Sequence, residues 1–324
     1  MIFYLISADH KTASFEMREN LYRQRRAIAA FWAQQQPQEG AVLVTCNRIE
    51  IYALASSLPE MQKKIGLFYE RFPGFLENSV VVYDYQNIFM HLLRVASGLE
   101  SQLQGELQIF EQLQAWQKQG GFVPALKELI CSALDQSRQV RSRCGLNVSI
   151  FNLASIVYAD IERHLGNAAR YSIVILGTGK IAELFSNLRP QNALLYFAAH
   201  RNYSKAQQLA QKAGGKAISL NEIINIGAAV DVLIGATASS HSVLSLEDVS
   251  SIIKLRRKPL YVYDLAIPRD IEPRCVQLPG VILQNLDTLN RLFEEVSSRI
   301  KDKIGLAEYL CGEKIFAQQE SLYV

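Results

Sequence analysis

The chain has 324 residues, 49% hydrophobic and 20% charged, with a formal net charge of +3. That describes an ordinary soluble protein with a sizeable core, two domains and an appendage, and the charge is too small to argue for nucleic acid by itself. Five cysteines, at positions 46, 131, 144, 275 and 311, form neither a metal-ligand spacing nor a disulfide framework, which fits a reducing cytoplasm.

The apolar start at residues 1–7 lacks a basic region, is too short for a signal peptide or a membrane span, and reads as a first strand. A helical stretch from Phe15 to Gln36 follows. After Gly40, the β-branched and apolar run from Val42 to Tyr52 reads as one strand. Side chains on a strand alternate in facing, so Cys46, Arg48 and Glu50 are expected on one face. A guanidinium there favours the thiolate, the reactive nucleophile, and a carboxylate holds the guanidinium or binds a substrate ammonium. Taken alone, Cys46 reads rather as a small buried hydrophobe. A helix from Pro59 to Phe72 and a strand at Val80 to Tyr85 complete a β-α-β order resembling a ferredoxin-like α+β sandwich.

Helical segments dominate from Ile88 to Ser142. Gly98 and Gly105 interrupt them, which marks a functional bend. His91 by itself reads as a structural histidine, and Ser101 and Glu106 equally as a cap and a solvated charge.

Tyr171 to Leu176 then runs into Gly177-Thr178-Gly179-Lys180-Ile181-Ala182, a strand, glycine turn and helix. The first glycine allows the tight turn, the second lets amides approach a pyrophosphate, and Ala182 permits close helix packing. A second strand, Ala193 to Ala198, ends in Ala199-His200-Arg201-Asn202, with no acid for ribose hydroxyls. Arg201 therefore points to NADPH, against the alternative of a solvated arginine. Two more buried strands, Asp231 to Thr237 and Leu260 to Ala266, place Thr237, Asp264 and Ala266 at carboxyl ends, where ligands sit in a doubly wound Rossmann sheet. Arg269 and Asp270 read as structural loop residues around Pro268.

Together these pieces resemble the glutamyl-tRNA reductase family over nearly the whole chain to about residue 300. The matching signatures are Asp9-His10-Lys11-Thr12-Ala13, Thr45 to Tyr52, Ala96 to Ser101, Gly105-Glu106-Leu107-Gln108-Ile109, the Gly177 turn, His200-Arg201-Asn202, and Asp264 to Asp270, in the family's order. The resemblance implies an N-terminal catalytic domain (1–145), a connecting helix (146–165), an NADPH-binding Rossmann domain (166–282) and a spinal helix (283–324). It implies that Cys46 attacks the ester of glutamate charged on its tRNA, and that NADPH reduces the thioester to glutamate-1-semialdehyde for tetrapyrrole synthesis. A product handover to glutamate-1-semialdehyde aminomutase is implied as well. By position, Arg48 would bind the substrate carboxylate, with Thr45, Glu50, His91, Ser101, Glu106 and Gln108 around it. Gly177, Thr178, Gly179, Lys180, Ile181, Arg201, Asn202, Thr237, Asp264 and Ala266 would hold the cofactor.

The chain departs from the family pattern in three places. Ala182 replaces the third glycine, the basic stretch Ser137 to Cys144 is altered, and the stretch after Asn285 reaches little beyond Gln318, so the helical dimerisation domain is expected to be missing. Leu289, Leu292, Phe293, Val296, Ile300, Ile304, Leu306 and Leu310 form an apolar stripe. It is expected to pack on the nucleotide domain or on a second copy, giving a weak homodimer or a monomer. Two other classes compete: a non-catalytic regulatory paralogue, against which Cys46 and Arg48 argue, and an NADP-dependent dehydrogenase of a small aldehyde or thioester, which would not need the N-terminal domain.

Overall fold

The computed structural model describes all residues except 36–39, 148–151, 167–169, 200–201, 255 and 322–324, and omits the side chains of 35, 228 and 314–321. The chain divides into two compact units, residues 1–150 with 293–324, and residues 151–292.

The first unit begins with β1 (Ile2–Asp9), α1 (Phe15–Arg23), α2 (Arg25–Gln35), β2 (Gly40–Val44), β3 (Arg48–Ala55), α3 (Leu58–Arg71) and β4 (Val80–Tyr83). The four strands form an antiparallel sheet in the order β2-β3-β1-β4, the ferredoxin-like arrangement read from the sequence. One face of the sheet packs Tyr4, Ile6, Ile49 and Ile51 against Leu21, Ile28, Trp32 and Phe68 of the helices. The expected helix over 15–36 is two helices meeting at Gln24, whose amide closes the last turn of α1.

The expected strand over 42–52 is also divided. Residues 45–47 form the bend of a β2–β3 hairpin, in which Thr45 and Arg48 pair through the backbone at 2.9 Å. Cys46 is therefore not on the strand face that carries Arg48 and Glu50. Two antiparallel strands need a reversal, and this short polar segment supplies it.

Helices α4 (Tyr85–Ser97), α5 (Gln108–Gln119) and α6 (Pro124–Arg143) follow. Gly98 ends α4 with φ +80°, in the left-handed region, and a Cβ there would lie 3.0 Å from the Glu106 carbonyl. Arg141, fully buried on α6, donates to the carbonyls of Ser97 (2.9 Å), Gly105 (3.1 Å) and Leu146 (2.7 Å). That buried guanidinium ties down both ends of the 98–107 loop.

The second unit contains α7 (Leu153–Leu165), β5 (Tyr171–Leu176), α8 (Lys180–Asn187), β6 (Ala193–Ala199), α9 (Tyr203–Ala213), β7 (Lys216–Ser219), α10 (Glu222–Ile226), β8 (Val232–Gly235), α11 (Leu246–Lys254), β9 (Leu260–Asp264) and β10 (Val281–Asn285). Its six parallel strands run β7-β6-β5-β8-β9-β10, the dinucleotide-fold order with its switch point between β5 and β8. The sequence reading of a doubly wound sheet holds. β7 and β10, short edge strands, were not read from the sequence.

The C-terminal stretch forms α12 (Asn290–Ser298) and α13 (Lys301–Ser321), separated at Arg299 and Ile300. Within the first unit α13 lies on α4 and α6, which cover part of the expected apolar face. Leu289, Phe293, Ile300, Ile304 and Leu310 of the expected stripe are buried, joined by Ala307 and Cys311, whereas Leu306 is exposed. Among the described residues, no helix is long and apolar enough to cross a membrane.

Candidate functional site

The first unit gathers the reactive residues around the β2–β3 hairpin. The Thr45 hydroxyl accepts from the Asn47 and Arg48 amides, both at 3.2 Å, and so shapes the turn that presents Cys46. Cys46 reaches solvent, yet protein atoms crowd it on its other sides. Exposure decides whether a reagent can arrive; crowding decides proton affinity. Burial, and then the Glu106 carboxylate, push the thiol up to about 11, against the pull of Arg18 and then Arg48. Arg48 does pull the thiol toward the thiolate, as the sequence reading expects, but burial and Glu106 outweigh it.

Arg48 is engaged elsewhere. Its Nη1 donates to Glu50 Oε1 at 2.8 Å and its Nη2 to the Glu100 carbonyl. Glu50 is fully buried. It also accepts from His91 Nε2 (2.8 Å), Tyr52 OH (2.6 Å) and Ser7 Oγ (3.0 Å). Burial alone would raise this carboxyl; His91, Arg48 and the Tyr52 hydroxyl outweigh it and hold the group far below the usual carboxylate range. Of the two uses considered for the acid, holding the guanidinium is the one observed.

The glycine-bounded loop supplies the other side. Glu100 pairs with Arg94 Nε (2.5 Å) and Lys11. Ser101 is buried and hydrogen-bonds Glu106, whose carboxyl is raised by burial despite the Ser101 hydroxyl, Arg48 and Arg141. Gln108 opens α5, half-buried. Cys46, Arg48, Glu50, His91, Ser101 and Glu106, scattered over sixty positions, thus belong to one neighbourhood.

Sequence reasoning missed Arg18, His10 and the structural role of Arg141. Arg18 and Arg141 carried a readable signal: each sits on a helix's buried stripe, Arg18 between Phe15 and Leu21, Arg141 after Leu134 and Ser137. His10 follows β1, and burial lowers it to about 4, with Asp9 opposing and Arg48, Arg18 and Lys11 assisting.

In the second unit, Gly177 has φ +101°, and a Cβ there would lie 2.8 Å from the Ala236 carbonyl and 3.1 Å from Thr237 Cγ2. The turn and Thr237 are therefore adjacent at the carboxyl ends of β5 and β8. Thr178 and Gly179 lead into α8, whose first residues are Lys180 and Ile181. No side chain caps this helix, so the amides of its first turn remain available to an anion.

Asn202 caps α9 and accepts from the Lys205 amide at 3.4 Å. His200 and Arg201 lie outside the described residues. Asp264 is turned inward: it accepts from Ala266 (3.3 Å), Asp270 (3.2 Å) and Ile271 (2.9 Å) amides. Burial pushes it up to about 7, the Ile271 amide opposing and the Asp270 charge adding. Asp270 accepts from the Thr237 amide at 2.7 Å and from its hydroxyl, and burial raises it to about 6. Asp264 and Asp270 shape the loop after β9, the structural role that the sequence reading gave to Arg269 and Asp270. Among the described residues no group of acids, histidines and cysteines could hold a metal.

Comparisons with known proteins cover both units. The family model for the glutamyl-tRNAGlu reductase N-terminal domain matches residues 6–144, and that for shikimate / quinate 5-dehydrogenase matches 160–292. The glutamyl-tRNA reductase of Pelotomaculum thermopropionicum is 30% identical over 332 residues, spanning 97% of this chain and 74% of the relative. That of Bacillus subtilis is 31% identical over 329 residues, spanning 97% and 72%. Among solved structures, glutamyl-tRNA reductase from Methanopyrus kandleri superimposes with a TM-score of 0.51 at 24% identity, covering 99% of this chain and 80% of that one, a likeness of fold.

Proposed function

This chain belongs to the glutamyl-tRNA reductase family, and on that premise we propose that it reduces the glutamyl group of glutamyl-tRNA to glutamate-1-semialdehyde through a thioester on Cys46. The observation that carries the reading is Cys46, solvent-reaching on a hairpin whose next strand holds the buried Arg48–Glu50–His91 cluster.

In this reading the Cys46 sulfur bonds to the ester carbonyl carbon while the carbon–oxygen bond to the tRNA ribose breaks. The thiol proton ends on the departing ribose oxygen. Because the thiol is held up to about 11, its ionisation has to be assisted. Glu106, half-buried and bonded to Ser101, stands in the thiol's field as the group able to carry that proton. Arg48, which among the described residues bonds Glu50 and the Glu100 carbonyl, is the guanidinium that takes the substrate's side-chain carboxylate in this reading. Glu50 keeps that guanidinium in place, and Thr45 keeps the nucleophile's turn.

The cofactor proposed is NADPH, which when bound supplies a hydride equivalent. The second unit fits it: the strand order, the Gly177 turn too tight for a Cβ, and the uncapped α8 N-terminus suit a pyrophosphate. The choice of NADPH over NADH stands on Arg201 in the sequence. Five unpaired cysteines support a reducing, cytoplasmic setting.

The test is incubation with charged glutamyl-tRNA, with and without NADPH. Wild-type protein is expected to form semialdehyde with cofactor and to retain labelled glutamate without it. Cys46→Ser should do neither and still bind NADPH. Substantial semialdehyde from that variant would defeat the covalent mechanism.

A further inference from the structure

Two guanidinium groups favour the Cys46 thiolate, and the one beside it in sequence is committed to another partner. Arg48 holds its charge against Glu50 at 2.8 Å. Arg18, on α1, is 4% exposed, packs its guanidinium 5.4 Å from the Phe15 ring centroid, and donates from Nη1 to Asn47 Oδ1 at 3.1 Å. Asn47 is the residue after the nucleophile.

We propose that Arg18 is a positioning residue for Cys46, holding the hairpin turn through Asn47 and supplying the positive field in which the sulfur ionises. The proposal rests on the reading of Cys46 as nucleophile and adds a residue outside every signature that identified the family.

Among the described residues the turn has few other supports. Thr45 satisfies two of its amides, but a three-residue bend that reaches solvent needs an anchor outside the hairpin to hold one geometry. Asn47 provides it by reaching α1.

The charged and titratable groups around the turn are Arg48 on β3, Asp9 and His10 at the end of β1, Glu106 before α5, and Arg18. Glu106 disfavours the thiolate; Arg18 favours it, ahead of Arg48. His10, lowered to about 4, stays neutral near pH 7 and adds no further cation. A cation near the sulfur also favours the negative charge that moves to the carbonyl oxygen during attack.

The experiment is alkylation of Cys46 by iodoacetamide as a function of pH, read on the Cys46 peptide by mass spectrometry, in wild type, Arg18→Met, Arg18→Lys and Asn47→Ala. Tryptophan fluorescence melts establish that each variant is folded. Arg18→Met should move the inflection up by about one pH unit, a roughly tenfold slower reaction near neutral pH. Arg18→Lys should restore most of it. Asn47→Ala should shift the inflection in the same direction by a smaller amount.

A profile for Arg18→Met that superimposes on wild type overturns the proposal, as does Arg18→Lys falling as far as the methionine variant, since packing and not charge would then be at work. Should Arg18→Met not fold, an unmoved Asn47→Ala inflection overturns it. The assay contains neither tRNA nor NADPH. A wild type that forms no semialdehyde while the inflection shifts would remove the functional reading alone; an active wild type with unmoved inflections would remove this one alone.

Discussion

Glu50 in the first unit and Asp264 in the second are carboxylates at the same depth, 0% and 1% exposed, with opposite proton affinities. Glu50 is held far below the usual range and Asp264 is raised to about 7. Burial opposes ionisation in both, so the neighbours decide. Glu50 meets a guanidinium, an imidazole and two hydroxyls. Asp264 meets three backbone amides and the like charge of Asp270. Amide dipoles reduce the cost of a buried charge; a cation at 2.8 Å reverses it. The first arrangement fixes charged side chains beside a nucleophile, and the second folds a loop at a sheet's carboxyl edge.

The strongest way to break this contrast is Arg48→Met, which leaves Glu50 buried with one cation fewer. It should cost the first unit about 3–5 kcal/mol. Urea unfolding followed by tryptophan fluorescence reads that unit alone, because Trp32 and Trp116 both lie in it. Arg48→Met/Glu50→Leu should recover most of the loss, and a double variant no better than the single would show that Arg48 stabilises by packing.

The pH response of the two units sharpens it next. Asp264 binds its proton more tightly folded than unfolded, so its stabilisation is full below about pH 4 and is lost as pH rises through about 7, a change of about 4 kcal/mol in the second unit. Glu50 has the opposite sign: its contribution is present above about pH 4.5 and is lost on further acidification. Pulsed hydrogen exchange of β5 and β9 peptides after urea equilibration at each pH should show the second unit weakening from pH 4 to 7. Asp264→Asn should flatten that slope, leaving only the part due to Asp270; an unchanged slope would remove Asp264 from the account.

The smallest effect expected is that of Tyr52→Phe, which removes one 2.6 Å hydrogen bond to Glu50 and should cost about 2 kcal/mol in the same fluorescence assay. A neutral substitution would mean that His91 and Arg48 suffice to hold the carboxylate.

Much of the fold was legible. Alternating strands and helices after Tyr171 announced a doubly wound sheet because buried parallel strands read as continuous apolar runs. The edge strands β7 and β10, short and partly exposed, lack that signature. Cys46 was legible as a residue and not as a geometry: an apolar run interrupted by Thr45-Cys46-Asn47 has the composition of one strand, and only pairing of β2 with β3 shows that it turns. The apolar face of the C-terminal helix was legible too, but its partner was not, since a stripe at helical spacing says that something covers it and nothing about what.

The sequence by itself determined the reactive residue types, the glycine turn before α8, the two-part α/β architecture and the family, because these depend on local spacing and on ordered motifs. Only the tertiary structure decided which guanidinium acts most on Cys46, that Glu50 is a buried hub, that Asp264 folds a loop, and that α13 lies on α4 and α6. The reason is physical: a charge responds to neighbours within a few ångströms, whichever part of the chain supplies them, and Arg18 is brought to Asn47 across 29 positions by folding alone.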